Sequence, residues 1–463
     1  MIRMLIAAPA SGNGKTSVTC ALLTALQKRG LSPCAFKCGP DYIDPMFHRS
    51  VLGVESSNLD LFLSDEENLR QRFERASANH GAAVCEGVMG LYDGVGGTTD
   101  RASAWHVART LDLPVILVVR PKGTSLTLAA QIQGLQAFRK PGCIKGVILN
   151  DCTAMLYSHL KPMLERETGI PVLGCLPHLP EAEFGSRHLG LYTAAEIEDL
   201  TKRLDVLAEA LERHTNIDRL LELCEDGAAP SAPEPHTETE PGVPIAVARD
   251  EAFCFLYPET LEALERAGAK PVFFSPLRDR GLPAGACGVY LPGGYPELYA
   301  EELSANREML AAVREAVNNK LPTVAECGGF LYLGKSLRDG QDTDWPMAGV
   351  LPGSGFPAGK LVRFGYGTLN ARTDSLLFRK GEAVPVHEFH YWDSTENGQD
   401  LRMEKPLSGR GWDCGFVSDS LYAAFPHLYF AGTPRLAERL VTAARRYKGS
   451  HDGIGDVTEE HWT

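Results

Sequence analysis

The chain has 463 residues, 59 acidic against 46 basic side chains, a formal net charge of −13, and is 44% hydrophobic and 23% charged. That length exceeds what one hydrophobic core usually organises, so two domains are expected, and no apolar run approaches bilayer length. The acidic balance excludes a mainly nucleic-acid-binding surface, although a local basic cluster can still hold an anionic small molecule.

Taken from the start, Met1–Pro9 passes into a glycine loop too soon for a cleavable leader, so a soluble, cytoplasmic protein is expected with no membrane partner. Met4–Ala8, Cys34–Lys37, Ala83–Glu86, Val115–Val119, Gly146–Asn150 and Val172–Leu176 read as strands buried on both faces. Between the first two, Val18, Ala21, Leu22, Ala25 and Leu26 recur at helical spacing, with Gly30 as the stop. Strands alternating with helices predict a parallel sheet in an α/β layer architecture. A proline-rich, acidic stretch at Gly227–Pro244 reads as a linker. A second α/β series follows at Ile245–Ala248, Val272–Phe274, Val289–Leu291 and Thr323–Ala325, and the chain past Lys448 is polar. The expected divisions are 1–225, a linker at 226–243, 244–448 and a tail at 449–463. The twelve cysteines are scattered with no Cys-x-x-Cys pair, which reads as reduced, buried thiols such as Cys85 and Cys175.

Gly12, Asn13, Gly14, Lys15 and Thr16 lie between the first strand and the first helix. In that setting glycines admit phosphate oxygens to backbone N–H groups, Lys15 reaches the outer phosphates and Thr16 can ligate Mg²⁺. Pro9 stands where the usual first glycine would be, so the loop is a variant. Partition-type ATPases carry a lysine at the position of Ala10, and its absence speaks against a switch-like ATPase. Asp41 and Asp44 follow the second strand, and Glu86 and Asp93 the next; such loops converge on one crevice. Asp41 and Glu86 are candidate Mg²⁺ ligands through hard oxygens, against the plainer reading that acids beside Pro and Gly cap turns.

In the second series, Thr323-Val324-Ala325-Glu326-Cys327-Gly328-Gly329 is an apolar strand breaking into a small-residue turn before a helical run. That is nucleophile-elbow geometry, and a helix N-terminus is expected to lower the thiol's pKa. Gly294 and Gly328 are candidate oxyanion donors, and His427 a candidate base. His387 and His390 look like a metal pair, but three positions apart on a strand they face opposite ways.

With both ends in view, the chain resembles the cobyrinate a,c-diamide synthase family over essentially its whole length. The matching strings include Ala8–Thr16, Phe36–His48, Glu86–Gly94, Arg187–Leu191, Arg249–Phe253, Gly293–Glu297, Glu326–Gly329 and His387–Tyr391. The resemblance implies a dethiobiotin-synthetase-like P-loop domain followed by a class I glutamine-amidotransferase-like domain, both doubly wound. It implies ATP and Mg²⁺ as cofactors, and glutamine and an anionic tetrapyrrole or corrinoid as substrates; a homodimer stays open. It places the nucleophile on Cys327 and the base on His427. His48, Arg101, Arg187 and His188, with Asp44 and Asp93, are candidates to face the substrate. The sequence departs from the pattern twice. Arg120 stands where an aspartate usually ends a strand, and Tyr429 stands where class I glutaminases carry an acid two residues after the histidine. A Cys–His dyad, or a triad whose third member is not placed, is therefore expected.

The implied reaction forms a thioester at Cys327, frees ammonia, and uses it on a carboxylate activated by ATP as an acyl phosphate. The same reaction on Ni-sirohydrochlorin or hydrogenobyrinate is the alternative within the enzyme class. From another class, the alternative is a P-loop regulator with a vestigial amidotransferase domain.

Overall fold

The apolar runs of the first half become parallel strands because helices cover both their faces. The strands are β1 (Ile2–Ala7), β2 (Pro33–Cys38), β3 (Ser56–Leu59), β4 (Ala82–Glu86), β5 (Val115–Val119), β6 (Ile144–Asn150) and β7 (Val172–Leu176). They form one sheet in the order β3-β2-β4-β1-β5-β6-β7, with every neighbouring pair parallel. The chain enters in the middle at β1 and builds outward to both sides. The crevice beyond the carboxyl end of β1 is therefore a topological switch point, where such sheets bind ligands. The helix α1 (Lys15–Lys28) starts there and buries Val18, Ala21, Leu22, Ala25 and Leu26 against the sheet. Truncating one of these leucines to alanine would cost about 2–5 kcal/mol. β3 was not anticipated: its Ser-Ser-Asn-Leu sequence has no apolar pattern, and it survives as an edge strand paired only to β2.

The computed structural model describes residues 1–182, 200–225 and 242–452, and the chain divides into two units, Met1–Pro235 and His236–Thr463. Most of the expected linker, and Arg187 and His188, lie outside the described residues.

In the second unit the strands are β8 (Val243–Ala248), β9 (Ala269–Phe274), β10 (Gly288–Leu291), β11 (Thr323–Glu326), β12 (Ser336–Arg338), β13 (Asp344–Pro346), β14 (Gly355–Pro357), β15 (Arg363–Ala371), β16 (Ala383–His390), β17 (Trp392–Ser394), β18 (Leu401–Glu404), β19 (Gly411–Cys414), β20 (Phe416–Ser418) and β21 (Leu421–Ala424). The main sheet runs β20-β21-β11-β10-β8-β9, parallel except for β20 at its edge. Two four-stranded sheets, β13-β12-β14-β17 and β16-β15-β18-β19, are inserted between β11 and β20. They pair antiparallel apart from β12 with β14. The last helix, Pro434–Asp452, continues past Lys448, where the sequence suggested a tail.

Candidate functional site

In the first unit, the loop after β1 turns on Gly12 (φ 80°) and Gly14 (φ 90°), left-handed angles that favour glycine. Gly14 has a second constraint: a Cβ there would lie 1.9 Å from Asn150 Nδ2. That amide donates to the Asn13 carbonyl at 3.0 Å and holds the loop against the end of β6. Asn13 closes the loop from inside. Its Nδ2 donates to the Ala10 carbonyl at 3.0 Å, and its Oδ1 accepts the Arg120 N–H at 3.1 Å. Among the described residues no side chain caps the start of α1, so its first N–H groups are available to an anion. Lys15 is buried, with Nζ donating to the Met89 carbonyl at 2.6 Å and the Ala10 carbonyl at 3.4 Å. Burial, and then the neighbouring Lys37 cation, push its pKa down to about 8.

Behind the lysine lies a buried charge network. Thr16 Oγ1 donates to Glu86 Oε1 at 2.6 Å, and the same oxygen accepts Lys37 Nζ at 2.8 Å. Lys37 also pairs with Asp44 Oδ2 at 2.6 Å. Burial alone would lower the Lys37 pKa, but Asp44, Glu86 and Asp41 outweigh it and hold the ammonium well above the ordinary lysine value. Burial raises the Glu86 pKa, as it does that of Asp41, where Asp44 adds repulsion. Glu86 Oε2 has no hydrogen-bond partner among the described residues, so with Thr16 Oγ1 it offers oxygen ligands beside the loop. Among the described residues no cluster of three His, Cys, Asp or Glu side chains has metal-holding geometry. An ion fitting here would take its remaining ligands from water and phosphate, as Mg²⁺ does.

The motifs of the sequence do not single out Lys37. A lysine inside the wholly buried run Pro33–Cys38 was the available signal, since buried lysines are almost always paired. Two of the acids have the turn role that competed with function. Asp41 Oδ1 accepts the Ile43 and Asp44 N–H groups at 2.8 and 3.3 Å, and Asp93 Oδ2 accepts the Gly90 N–H at 2.8 Å. His48 is fully buried with Nδ1 3.1 Å from Ser56 Oγ, a contact between its helix Ile43–Ser50 and β3. Arg101 is exposed with its guanidinium over the Phe62 ring. Arg120 pairs with Asp151, just past the end of β6.

In the second unit, β11 ends at Glu326 and the chain turns through Cys327 at φ 47°, ψ −101°. Such a conformation costs a non-glycine residue about 1–3 kcal/mol, the kind of strain an elbow stores. Glycines make room around it. A Cβ at Gly293 would stand 2.5 Å from His427 Cε1 and 3.4 Å from Cys327 Cβ, so that glycine lies between thiol and imidazole. A Cβ at Gly328 would be 3.0 Å from the Gly294 nitrogen, which sets the two candidate oxyanion donors side by side. The expected acidified thiol is not found. Burial first, then the carboxylates of Glu297 and Glu388, push the Cys327 thiol well above the ordinary cysteine value, against the pull of the Gly328 N–H on Sγ. The following helix, Gly328–Tyr332, is a bare turn and a half, too short for much dipole. At rest the Cys327 side chain is a neutral thiol.

His427 is buried and its backbone pairs with that of His387, N–H to carbonyl at 2.8 and 3.4 Å. His427 Nδ1 lies 3.7 Å from Glu326 Oε2. Tyr429, at the position where class I glutaminases carry an acid, is a core residue edge-on to Tyr257 at 5.1 Å. On β16, Glu388 and His390 share a face, with His390 Nε2 2.8 Å from Glu388 Oε1. His390 stacks on Phe425, whereas His387 sits against Phe364 and Tyr366.

Residues 4–191 match the model of the CobQ/CobB/MinD/ParA nucleotide binding domain, and residues 244–434 that of the CobB/CobQ-like glutamine amidotransferase domain. A cobyrinate a,c-diamide synthase of Caldanaerobacter subterraneus subsp. tengcongensis is 39% identical over 450 residues, covering 96% of this chain and 99% of the relative. The chain belongs to the cobyrinate a,c-diamide synthase family. Relatives of the same name from Clostridium tetani and Salmonella typhimurium are 36% and 40% identical, covering 95% and 96% of this chain and 100% and 98% of the relatives. The family match takes in both sites: Lys15, Thr16, Lys37, Asp41 and Glu86 fall in the nucleotide-binding segment, and Cys327 and His427 in the amidotransferase segment. None of the helices among the described residues is long and apolar enough to cross a membrane.

Proposed function

We propose that the chain amidates the a- and c-side-chain carboxylates of cobyrinate, using ATP and ammonia drawn from glutamine. The observation that carries this reading is that one chain, matched end to end by relatives named for that reaction, contains both an uncapped phosphate loop and a strained cysteine beside a histidine.

At the loop, a substrate carboxylate oxygen attacks the γ-phosphorus of ATP and ADP leaves, giving an acyl phosphate. Lys15 exchanges its carbonyl partners for phosphate oxygens, and the N–H groups of α1 meet the remaining charge. Thr16 and Glu86 are the residues suited to hold Mg²⁺, which would neutralise charge on the phosphates. Lys37 keeps Glu86 and Asp44 in place.

At the elbow, Cys327 Sγ attacks the glutamine carboxamide carbon while its proton passes to His427. The N–H groups of Gly294 and Gly328 take the oxyanion. The C–N bond breaks, His427 returns the proton to the leaving ammonia, and water assisted by His427 hydrolyses the thioester to glutamate. Ammonia then attacks the acyl phosphate carbon and phosphate leaves, completing the amide.

The test supplies ATP, Mg²⁺ and glutamine with cobyrinate, hydrogenobyrinate or Ni-sirohydrochlorin, and measures ADP and amide. Cobyrinate should give ADP and a diamide in step. Turnover on either of the other macrocycles alone would reassign the substrate, and ATP hydrolysis with no amide from any of them would leave only a regulatory ATPase.

A further inference from the structure

His427 has no acid two residues along, because Tyr429 occupies that place in the core. We propose that Glu326, the residue just before the nucleophile, orients His427 through Nδ1 and completes a triad as a positioning residue. This rests on the reading of Cys327 and His427 as nucleophile and base.

Glu326 is the last residue of β11 and is fully buried. Oε1 accepts the Leu428 N–H at 3.1 Å, from the residue directly after His427, and the Tyr290 phenol neighbours the same carboxylate. Oε2 lies 3.7 Å from His427 Nδ1, within ion-pair reach, and has no hydrogen-bond partner among the described residues. A buried carboxylate oxygen without a donor is costly and calls for an explanation. An imidazolium supplies one. When Cys327 passes its proton to His427, Nδ1–H is the donor that Oε2 lacks, and a small closure makes the bond. Before that, the carboxylate selects the tautomer with hydrogen on Nδ1, which leaves Nε2 to accept the thiol proton. The register explains how the acid arrives from the other strand. Glu326 pairs with Ala424 across β11 and β21, and three residues later the chain leaving β21 presents His427 beside it.

The other ionisable groups around the imidazole do not substitute for it. His387, paired to His427 from β16, has its pKa lowered to about 3 by burial and then by His427, so it adds no charge. Lys405 on the same side acts on His387. Glu297 and Glu388 act on the thiol, and Glu388 is already taken up by His390 and Arg363.

The experiment compares Glu326→Gln and Glu326→Asp with the wild-type chain, measuring amide formed with glutamine and with ammonium chloride, and the pH profile of kcat/KM for glutamine. Gln keeps the size, but with its oxygen on Leu428 it turns an N–H toward Nδ1 and imposes the wrong tautomer. Glu326→Gln should lose roughly 10²–10⁴-fold in glutamine-dependent kcat, with KM little changed and ammonia-dependent amidation intact. Its acid limb should move to lower pH, because the amide no longer offers the imidazolium an anion. Glu326→Asp keeps the charge and should recover part of the rate despite its shorter reach. A Gln variant as active as Asp or more so, an unmoved acid limb, or a Gln variant that no longer folds would each overturn the proposal in favour of a packing role. Cys327→Ala run alongside separates the failures. If it still uses glutamine, the underlying reading is wrong; if it does not while Glu326→Gln does at full rate, only the role of Glu326 is wrong.

Discussion

The lowered pKa of Lys15 makes a quantitative prediction about nucleotide binding. In the free chain its ammonium is buried against backbone carbonyls with Lys37 nearby, which puts the pKa at about 8. A triphosphate would surround it with negative charge and hold it protonated, so binding above that pH must be accompanied by proton uptake. The sign follows. Below about pH 7.5 the lysine is already charged and affinity should be flat, whereas above 8 it should fall. With a free-state pKa of about 8 the lysine is about 90% protonated at pH 7 and about 10% at pH 9, so Mg-ATP should bind about tenfold more weakly at pH 9. The triphosphate is itself fully ionised across that range in the presence of Mg²⁺, which leaves the protein as the source of the effect. Calorimetric titration in buffers of different ionisation enthalpy gives both affinity and protons taken up, which should approach one at pH 9. The Lys15→Met variant should bind weakly with no such dependence. Wild-type affinity that is constant or rises between pH 7 and 9 would refute the picture of Lys15 as a desolvated cation awaiting an anion.

Two further substitutions test the first unit. Gly14→Ala carries a left-handed penalty of about 1–2 kcal/mol and also pushes Asn150 off the Asn13 carbonyl, so it should cut ATP-dependent amidation sharply. Gly14→Ala with Asn150→Ala should recover the part due to collision, and equal loss in both variants would remove Asn150 from the explanation. Lys37→Met leaves Asp44 and Glu86 buried without their cation and should cost about 3–5 kcal/mol of stability in denaturant unfolding. Burial raises the pKa of Glu86 even beside Lys37, and without that lysine the carboxyl would favour its neutral form further. The deficit should therefore be largest near pH 8 and shrink as pH falls toward 5; a deficit independent of pH would contradict it.

Much of this was legible in the sequence because both sites are built on local strings. A strand followed by Gly-x-Gly-Lys-Thr, or by Glu-Cys-Gly-Gly, carries its geometry within one turn of chain; Gly14, Gly328 and Gly329 are constrained by contacts, and Gly12 by its left-handed backbone alone. Buried parallel strands showed as apolar runs. Strands of the inserted sheets did not: Asp344–Pro346 and Gly411–Cys414 are short, polar or aromatic, and are held by partners rather than by a hydrophobic pattern. Long-range electrostatics were also out of sight. That Lys37 bridges Asp44 and Glu86 depends on β2 and β4 being neighbours, and that Glu326 meets His427 depends on β11 and β21 being neighbours. The thiol was misjudged for the same reason. The helix N-terminus was readable, but the enclosing walls and the carboxylates of Glu297 and Glu388 that raise its pKa were not.

The division of labour between elbow and phosphate loop is tested most directly with Cys327→Ala. The side chain lost is small and lies in the second unit, so carboxylate activation at the loop should keep its geometry. ADP and amide yields from cobyrinate are measured with glutamine and with ammonium chloride from pH 7 to 9. The variant should form no amide from glutamine yet use ammonia, and increasingly so as pH rises, because only the unprotonated amine attacks an acyl phosphate. A variant that is folded and binds ATP but is inactive with both donors, or one that still uses glutamine, would contradict the account.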